Sequence, residues 1–358
     1  MRERAGVVAT KRSEQPDTEV LDPRFDPEPR YWARLRARAG LRADWSWPVL
    51  TAQAWLARTP QLVTVFLDGG EPRGVVWAAW VTAGTHRYRF AASGRAGRVG
   101  FLDVRSPHNS AVPGWWFAGY APGERPGALR AHVAEYTSVM RRELGIGFRG
   151  LLVRQLAEPE VAEVAGRFRM IRPIEPIGVL DTAGHRSRDD WLATLAKKRR
   201  WELRKIDRLV TGNPAIGVDV RTGAEEDVVA LTRLLRHNAD KHKDVPILPL
   251  PQFGASLAKL LAEPDVRTVT YDDPVTGRRL AVALVLDHPD WPTFRTWSAL
   301  PVEDGGARNL YLHVYGEMAH WSIAAGKQGV IVGKKMPKLK ASLGARMVPQ
   351  YAAAVPVR

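Results

Sequence analysis

Residues 307–335, ARNLYLHVYGEMAHWSIAAGKQGVIVGKK, decide how the second half of this 358-residue chain is read. The segment is expected to form a helix from Arg308 to Ala325 and then a strand over 329–333. Gly333 and Pro337 mark the loop that follows, which carries Lys334, Lys335, Lys338 and Lys340 with no acid beside them. Upstream, strands are expected at 266–271, 279–286 and 293–299, after helices at 225–241 and 251–263. A helix from 188 to 210 opens this half. Ser187 precedes Asp190 by three residues, as in a capping box, and Gly212 and Pro214 end the helix.

The first half reads in a related order. Strands at 62–69 and 73–84 flank the turn Gly69-Gly70-Glu71-Pro72, and 87–92 continues the sheet. The helix at 127–144 repeats Leu129, Val133, Tyr136, Val139 and Met140 at helical spacing and stops at Gly145. A strand at 148–156, a short helix at 158–167 and a strand at 177–181 follow. Each half therefore has strands, then a helix, then a strand, which is the pattern of an α/β fold. A chain of this length exceeds the size at which single cores stop growing. Two domains are expected, 26–176 and 177–358, behind a disordered, charged and proline-punctuated tail over 1–25.

Hydrophobic content of 45% and charged content of 25% are those of a soluble globular protein. Cysteine is absent, which excludes disulfides, thiolate metal sites and cysteine nucleophiles, and suits the reducing cytoplasm expected here. The first residues have no apolar run of signal-peptide length, and no stretch of eighteen uncharged apolar residues occurs. Neither a cofactor nor a metal is expected. His313, Glu317 and His320 share a helix, but no third ligand has convincing spacing.

Charge is the most uneven feature. Eleven of twelve lysines follow residue 196, while the forty-one arginines are spread throughout. Residues 197–208 and 327–346 contribute +5 and +6 of the formal +15. Fields of that kind attract a polyanion such as nucleic acid, a nucleotide pyrophosphate or an anionic membrane surface, although a charge run also serves as a solvated face. Along the helix expected at 188–210, Leu192, Leu195, Ala196, Leu203, Ile206 and Val210 form one stripe. Lys197, Lys198, Arg200, Arg204, Lys205 and Arg208 are its basic residues, on a helix about 35 Å long, enough to track several phosphates. Arg199 falls within the apolar stripe and is expected to point inward, either snorkelling or reaching a substrate phosphate or carboxylate.

WLATLAKKRRWELRKIDR (191–208), the segment 307–335 and the closing KASLGA (340–345) together resemble the FemABX-type domain of the wider GNAT (N-acetyltransferase-like) superfamily. The resemblance covers roughly 177–350. It implies two GNAT-like domains facing across a cleft, and acyl transfer to an amine from either aminoacyl-tRNA or acyl-CoA. It also implies that Arg199 or Arg200 faces substrate, that Tyr311 is the aromatic of the motif helix, and that Lys340 holds the oxyanion. His313 or Glu317 is a candidate weak base.

The donor expected is aminoacyl-tRNA, with acyl-CoA as the alternative and a non-catalytic nucleic-acid-binding protein as a third reading. A CoA enzyme would cradle pyrophosphate on backbone amides at a helix N-terminus. RELGIG (142–147) follows a helix instead, and VEDGGARN (302–309) offers Glu303 and Asp304 where an anion would sit. Lys197, Lys198, Arg204, Lys205, Arg208, Lys334, Lys335 and Lys338 are the expected contacts to RNA. Among Trp291, Trp297, Tyr311 and Tyr315, Trp297 is the candidate to stack the terminal adenine, and at least two of the four fill the core. The acceptor, a small-molecule or peptide amine, is expected near Asp103, Arg105 and His108 in the loop DVRSPHNS.

Overall fold

A computed structural model describes residues 17–57, 59–82, 99–107, 110–125, 127–164, 170–241 and 250–357. The strands are β1 (Thr18–Leu21), β2 (Gln61–Asp68), β3 (Glu71–Thr82), β4 (Gly100–Val104), β5 (Trp115–Phe117), β6 (Phe148–Leu156), β7 (Met170–Asp181), β8 (Gly217–Thr222), β9 (Val266–Asp272), β10 (Arg279–Leu286), β11 (Thr293–Ala299), β12 (Gly329–Gly333) and β13 (Arg346–Pro356). The helices are α1 (Trp32–Ala39), α2 (Trp47–Leu56), α3 (Ala128–Leu144), α4 (Glu158–Val164), α5 (Arg188–Thr194), α6 (Lys197–Thr211), α7 (Val228–Lys241), α8 (Leu250–Leu261), α9 (Leu310–Ala324) and α10 (Pro337–Ser342). None of the described helices is long and apolar enough to cross a membrane.

The strands form one mixed sheet in the order β1-β2-β3-β4-β6-β13-β7-β12-β11-β10-β9-β8, with β5 paired to β3. Read outward from its centre, this order is symmetrical. Each half runs strand, two helices, three antiparallel strands, helix, strand, short helix, strand, and the strands flanking the long helix are parallel: β4 beside β6, and β11 beside β12. The last strands have changed places. β7 ends the first unit but pairs with β12, whereas β13 ends the second and pairs with β6. β7 and β13 also pair with each other, from Arg346 opposite Val179 to Ala354 opposite Met170. The expected boundary between 176 and 177 lies inside β7, and the end of the tail expected to be disordered over 1–25 instead forms β1, paired with β2, and buries Asp22 and Arg24.

Apolar alternation places a core on each face. Val314, Tyr315, Met318 and Ala319 of α9 pack with Leu203, Ile206 and Val210 of α6 on one face of the second half. The other face carries Leu231, Leu234 and Leu235 of α7 and Leu257, Leu260 and Leu261 of α8, joined by Ala43 and Val49 from the first half. At the centre, Ala111 packs on Ile177, Val179 and Ile331.

The expected helix at 188–210 breaks in two. Leu195 and Ala196 take extended backbone, with ψ of 154° and 141°, so the angular count that placed Arg199 inward restarts at Lys197. Ser187 does cap α5, its hydroxyl accepting from Asp190 N at 3.1 Å. The lysine loop contains the short helix α10. RELGIG ends α3 with Gly145 at φ 71°, as a helix stop. The expected strand at 87–92 lies outside the described residues. Because β13 supplies the middle of the sheet, a chain ending at Ala345 should lose cooperative unfolding in urea; a soluble truncation with a sharp transition would contradict the exchanged-strand topology.

Candidate active site

The sheet opens between the parallel strands β11 and β12. They pair at a single position, Thr293 opposite Ile331, whereas the equivalent β4 and β6 pair at four. A bulge helps to open this gap: Leu284 and Val285 face Thr296 and Phe294, leaving Arg295 as the extra residue on β11. Beside the gap lies a cavity of about 640 Å³, lined by the edge of β11, by Val332 and Gly333 of β12, by Lys334, Lys335 and Met336, by Tyr311 and Lys340, and by Ser110 from the first half. Among the described residues, no acidic side chain lines it.

Lys340 is 3% exposed, and its ammonium donates to the carbonyl of Lys334. Burial lowers its pKa to about 8, partly opposed by the carboxylate of Glu175. Lys334 is lowered by the same cause, with Glu175 raising it and Arg154 lowering it further. The stem of Lys340 has room because residue 178 is glycine: a Cβ there would stand 3.2 Å from Lys340 Cδ and 2.9 Å from Val332 Cγ2. Glu175 Oε1 accepts from Lys335 N at 2.5 Å and fixes the loop on β7. Lys335 and Met336 both adopt left-handed backbone, φ 61° and 53°, which costs non-glycine residues about 1–2 kcal/mol each. The connection holds the lysines in a conformation the sequence would not choose alone.

The opposite wall is aromatic. Trp297 meets Tyr311 edge to face at 5.6 Å, and Tyr311 shares a hydrogen bond with Tyr315 at 3.1 Å. Trp297 also meets Tyr271 at 5.9 Å, and the Tyr271 hydroxyl is 2.9 Å from His313 Nδ1. His313 and Glu317 therefore lie behind this wall and do not line the cavity. His313 is 2% exposed, with Nε2 3.4 Å from Asp207 and 3.8 Å from Glu317. Arg188 supplies the local cation, 2.7 Å from Asp207 and 3.6 Å from Glu317, and its guanidinium lies where a Cβ on Gly316 would be, 2.5 Å away. Burial first, then Arg188, lowers the pKa of His313, while Glu317 and Asp207 raise it. Asp207, His313 and Glu317 form a three-ligand geometry because α6 brings in Asp207, the ligand the spacing on α9 did not show. Arg188 pairs with both carboxylates of this cluster.

Other expected site residues fall elsewhere. Arg199 pairs with Glu202 at 2.7 Å, one turn along its own helix, and does not reach the cavity. Arg200 donates to Ala193 O at 3.3 Å and closes the end of α5. Asp103 is buried in an ion pair with Arg154 at 2.6 Å, with Arg105 at 3.8 Å, so it is held as structure. His108 lies outside the described residues, but Ser110 from the same loop lines the cavity. Lys334 and Lys335, expected on RNA, line the cavity, whereas Lys338 is exposed on α10. Trp291 and Tyr315 pack in cores. On α6, Lys197, Lys198, Arg204, Lys205 and Arg208 are exposed around Trp201, itself 61% exposed, with Lys205 Nζ 5.3 Å from its ring. Sequence reasoning missed Arg295, Glu175 and Trp201; the run RRWELRK was visible, but the break before α6 that sets its facing was not.

In the first unit the corresponding space is closed. Trp115, Phe117 and Tyr136 pack between β4 and α3, and the Glu163 carboxylate accepts from Leu129 N at 3.0 Å, supplying its own anion to the start of α3.

No protein-family model matches this sequence, and no curated protein does. Solved structures do match in fold. L-PGS from Bacillus licheniformis is 11% identical over 91% of each chain, with a TM-score of 0.56. FemX is 10% identical over 90% of this chain and 95% of its own, with a TM-score of 0.55. The C-terminal domain of a protein described as a lysylphosphatidylglycerol synthetase from Agrobacterium fabrum is 12% identical over 89% and 90%, with a TM-score of 0.53. The fold is FemABX-like, two GNAT-like units built into one sheet.

The lowered pKa of Lys340 has a direct consequence. Between about pH 8 and 10.5 the unfolded chain holds a proton on this lysine that the native chain has released. Stability should rise with pH across that window, and urea midpoints should show the slope reduced in Lys340→Met; equal slopes would mean that the ammonium is not desolvated.

Proposed function

We propose that this protein is an acyltransferase that forms an amide bond, moving an aminoacyl group from aminoacyl-tRNA to an amine of a small molecule or peptide. The observation that carries this reading is Lys340, a buried ammonium at an acid-free cavity beside a gap between two parallel strands. The second unit is the donor side, and the first contributes the acceptor side through the loop that ends at Ser110. Two structural neighbours point the same way, since a lysylphosphatidylglycerol synthetase is named for joining a lysyl group to its acceptor, and FemX shares the fold.

The chemistry follows from the groups present. An unprotonated acceptor amine attacks the acyl carbonyl, forming the C–N bond and an oxyanion to which Lys340 donates. The oxyanion collapses, the ester C–O bond breaks, and the terminal ribose hydroxyl leaves as the amine proton passes to it through water. Tyr311 and Trp297 give the terminal adenine an aromatic surface. His313 and Glu317 act through Tyr271 as positioning residues. The basic face of α6 with Trp201 supplies phosphate contacts and a stacking surface. Glu303 and Asp304 stand exposed before α9, which disfavours the pyrophosphate of acyl-CoA.

Two outcomes test this reading. Lys340→Met should cut single-turnover amide formation from labelled aminoacyl-tRNA by roughly 10²–10³-fold, with tRNA affinity within a fewfold. Loss of binding alone would remove Lys340 from the chemistry. Replacing Arg204 and Arg208 with alanine should flatten the salt dependence of tRNA binding by about one to two units of slope; an unchanged slope would return that face to solvent.

A further inference from the structure

We propose that Arg295 is the specificity residue for the acceptor, recognising an anionic group, carboxylate or phosphate, carried by the molecule that presents the amine. This rests on the transferase reading above and names the class of acceptor it takes.

Arg295 is the extra residue of the bulge on β11, and bulges of this kind redirect a side chain at the edge of a sheet. On either side of it, Phe294 and Trp297 both belong to the core face shared with Tyr311 and Tyr315. Ser110 marks the other end of the cavity. Its neighbour Ala111 packs on Ile331 and Val179, on the face of β12 and β7 turned toward the first unit. Arg295 lines the cavity that contains both ends.

The guanidinium is unsatisfied. Its Nε is buried with no hydrogen-bond partner, and Arg295 makes no hydrogen bond or ion pair among the described residues. A guanidinium has five donors in a planar fork that match a carboxylate or phosphate edge, and leaving them unmade in a partly dry site is costly. The carboxyl that acts on it is Asp44, which is 1% exposed, has both oxygens without partners, and has its pKa pushed up to about 7 by burial against the opposing pull of Arg42 and Arg295. No ion pair joins the two, so Asp44 offsets the charge of Arg295 only in part and leaves its donors free. Arg42, the other cation acting on Asp44, is already committed to the carbonyl of Trp291. With Lys334, Lys335 and Lys340 also on the lining, no acid on it among the described residues and Glu175 bound behind the lysine loop, the cavity suits a ligand that brings its own negative charge.

Isothermal titration calorimetry of the full chain separates this idea from the transferase reading, since it requires no turnover. The probes are N-acetylglycine, its neutral isostere N-acetylglycinamide, and inorganic phosphate. N-acetylglycine or phosphate should bind saturably and roughly tenfold or more tighter than the amide, as expected for a charge-assisted contact. Arg295→Met should remove that preference, with Arg295→Lys keeping part of it. Whichever anion loses affinity in Arg295→Met identifies the group recognised. Should the methionine variant unfold, as thermal melts would show, Arg295→Lys carries the test through a fall of severalfold in anion affinity. Equal binding of acid and amide, no anion binding at millimolar concentration, or full anion affinity in a folded Arg295 variant would each overturn the assignment. Absence of product with aminoacyl-tRNA would count against the donor and leave the calorimetric result standing.

Discussion

The gap between β11 and β12 is the constraint on which the rest of the site depends. Adjacent strands in a sheet satisfy their backbone groups by pairing, and an unpaired edge facing a cavity requires a substitute partner. Here pairing survives only at Thr293 and Ile331. The bulge at Arg295 turns β11 away, and two left-handed residues, Lys335 and Met336, turn the chain out of the end of β12. What remains is a slot with lysines at one end, aromatic rings along one wall and unpaired strand edges within it.

The exchanged terminal strands keep this gap from closing or widening. β7 carries Glu175 and Gly178 from the first unit to the side of Lys340, so one fixes the lysine loop and the other makes room for the lysine stem. The same strand pairs with β13 along most of its length. The cavity beside β12 is thus lined mainly by the second unit but held by a strand of the first. The first unit has the same element order without the opening, because β4 and β6 pair at four positions and Trp115, Phe117 and Tyr136 fill the equivalent volume.

Much of this was legible in the sequence, for identifiable reasons. Helical spacing gave the long helix α3, and the helix expected at 308–325 forms as α9 although it is apolar on most sides; the strands expected at 62–69, 148–156, 266–271, 279–286 and 293–299 form as well. Local signals also placed the Ser187 cap and the helix stop at Gly145. Lys340, Tyr311 and Trp297 line one cavity, and Lys334 and Lys335, expected on RNA, line it as well. Illegible features were those set by long-range geometry. The two extended residues at 195 and 196 have no strong breaker in the sequence, so the reading of Arg199 continued through a bend. α2, WPVLTAQAWL, is apolar on most sides and shows no helical period. β13 is a central strand whose partners lie in the other unit, and no local pattern reports that. Asp207 is far from His313 along the chain, so their cluster with Arg188 appears only after α6 and α9 pack.

The most direct measurement is filter binding of the purified protein to aminoacyl-tRNA and to deacylated tRNA across a salt series, with acetyl-CoA as competitor. The account predicts salt-sensitive binding of both RNAs, tighter for the aminoacylated form and indifferent to acetyl-CoA. Absence of tRNA binding, or its displacement by acetyl-CoA, would contradict it and assign the slot between β11 and β12 to an acyl thioester.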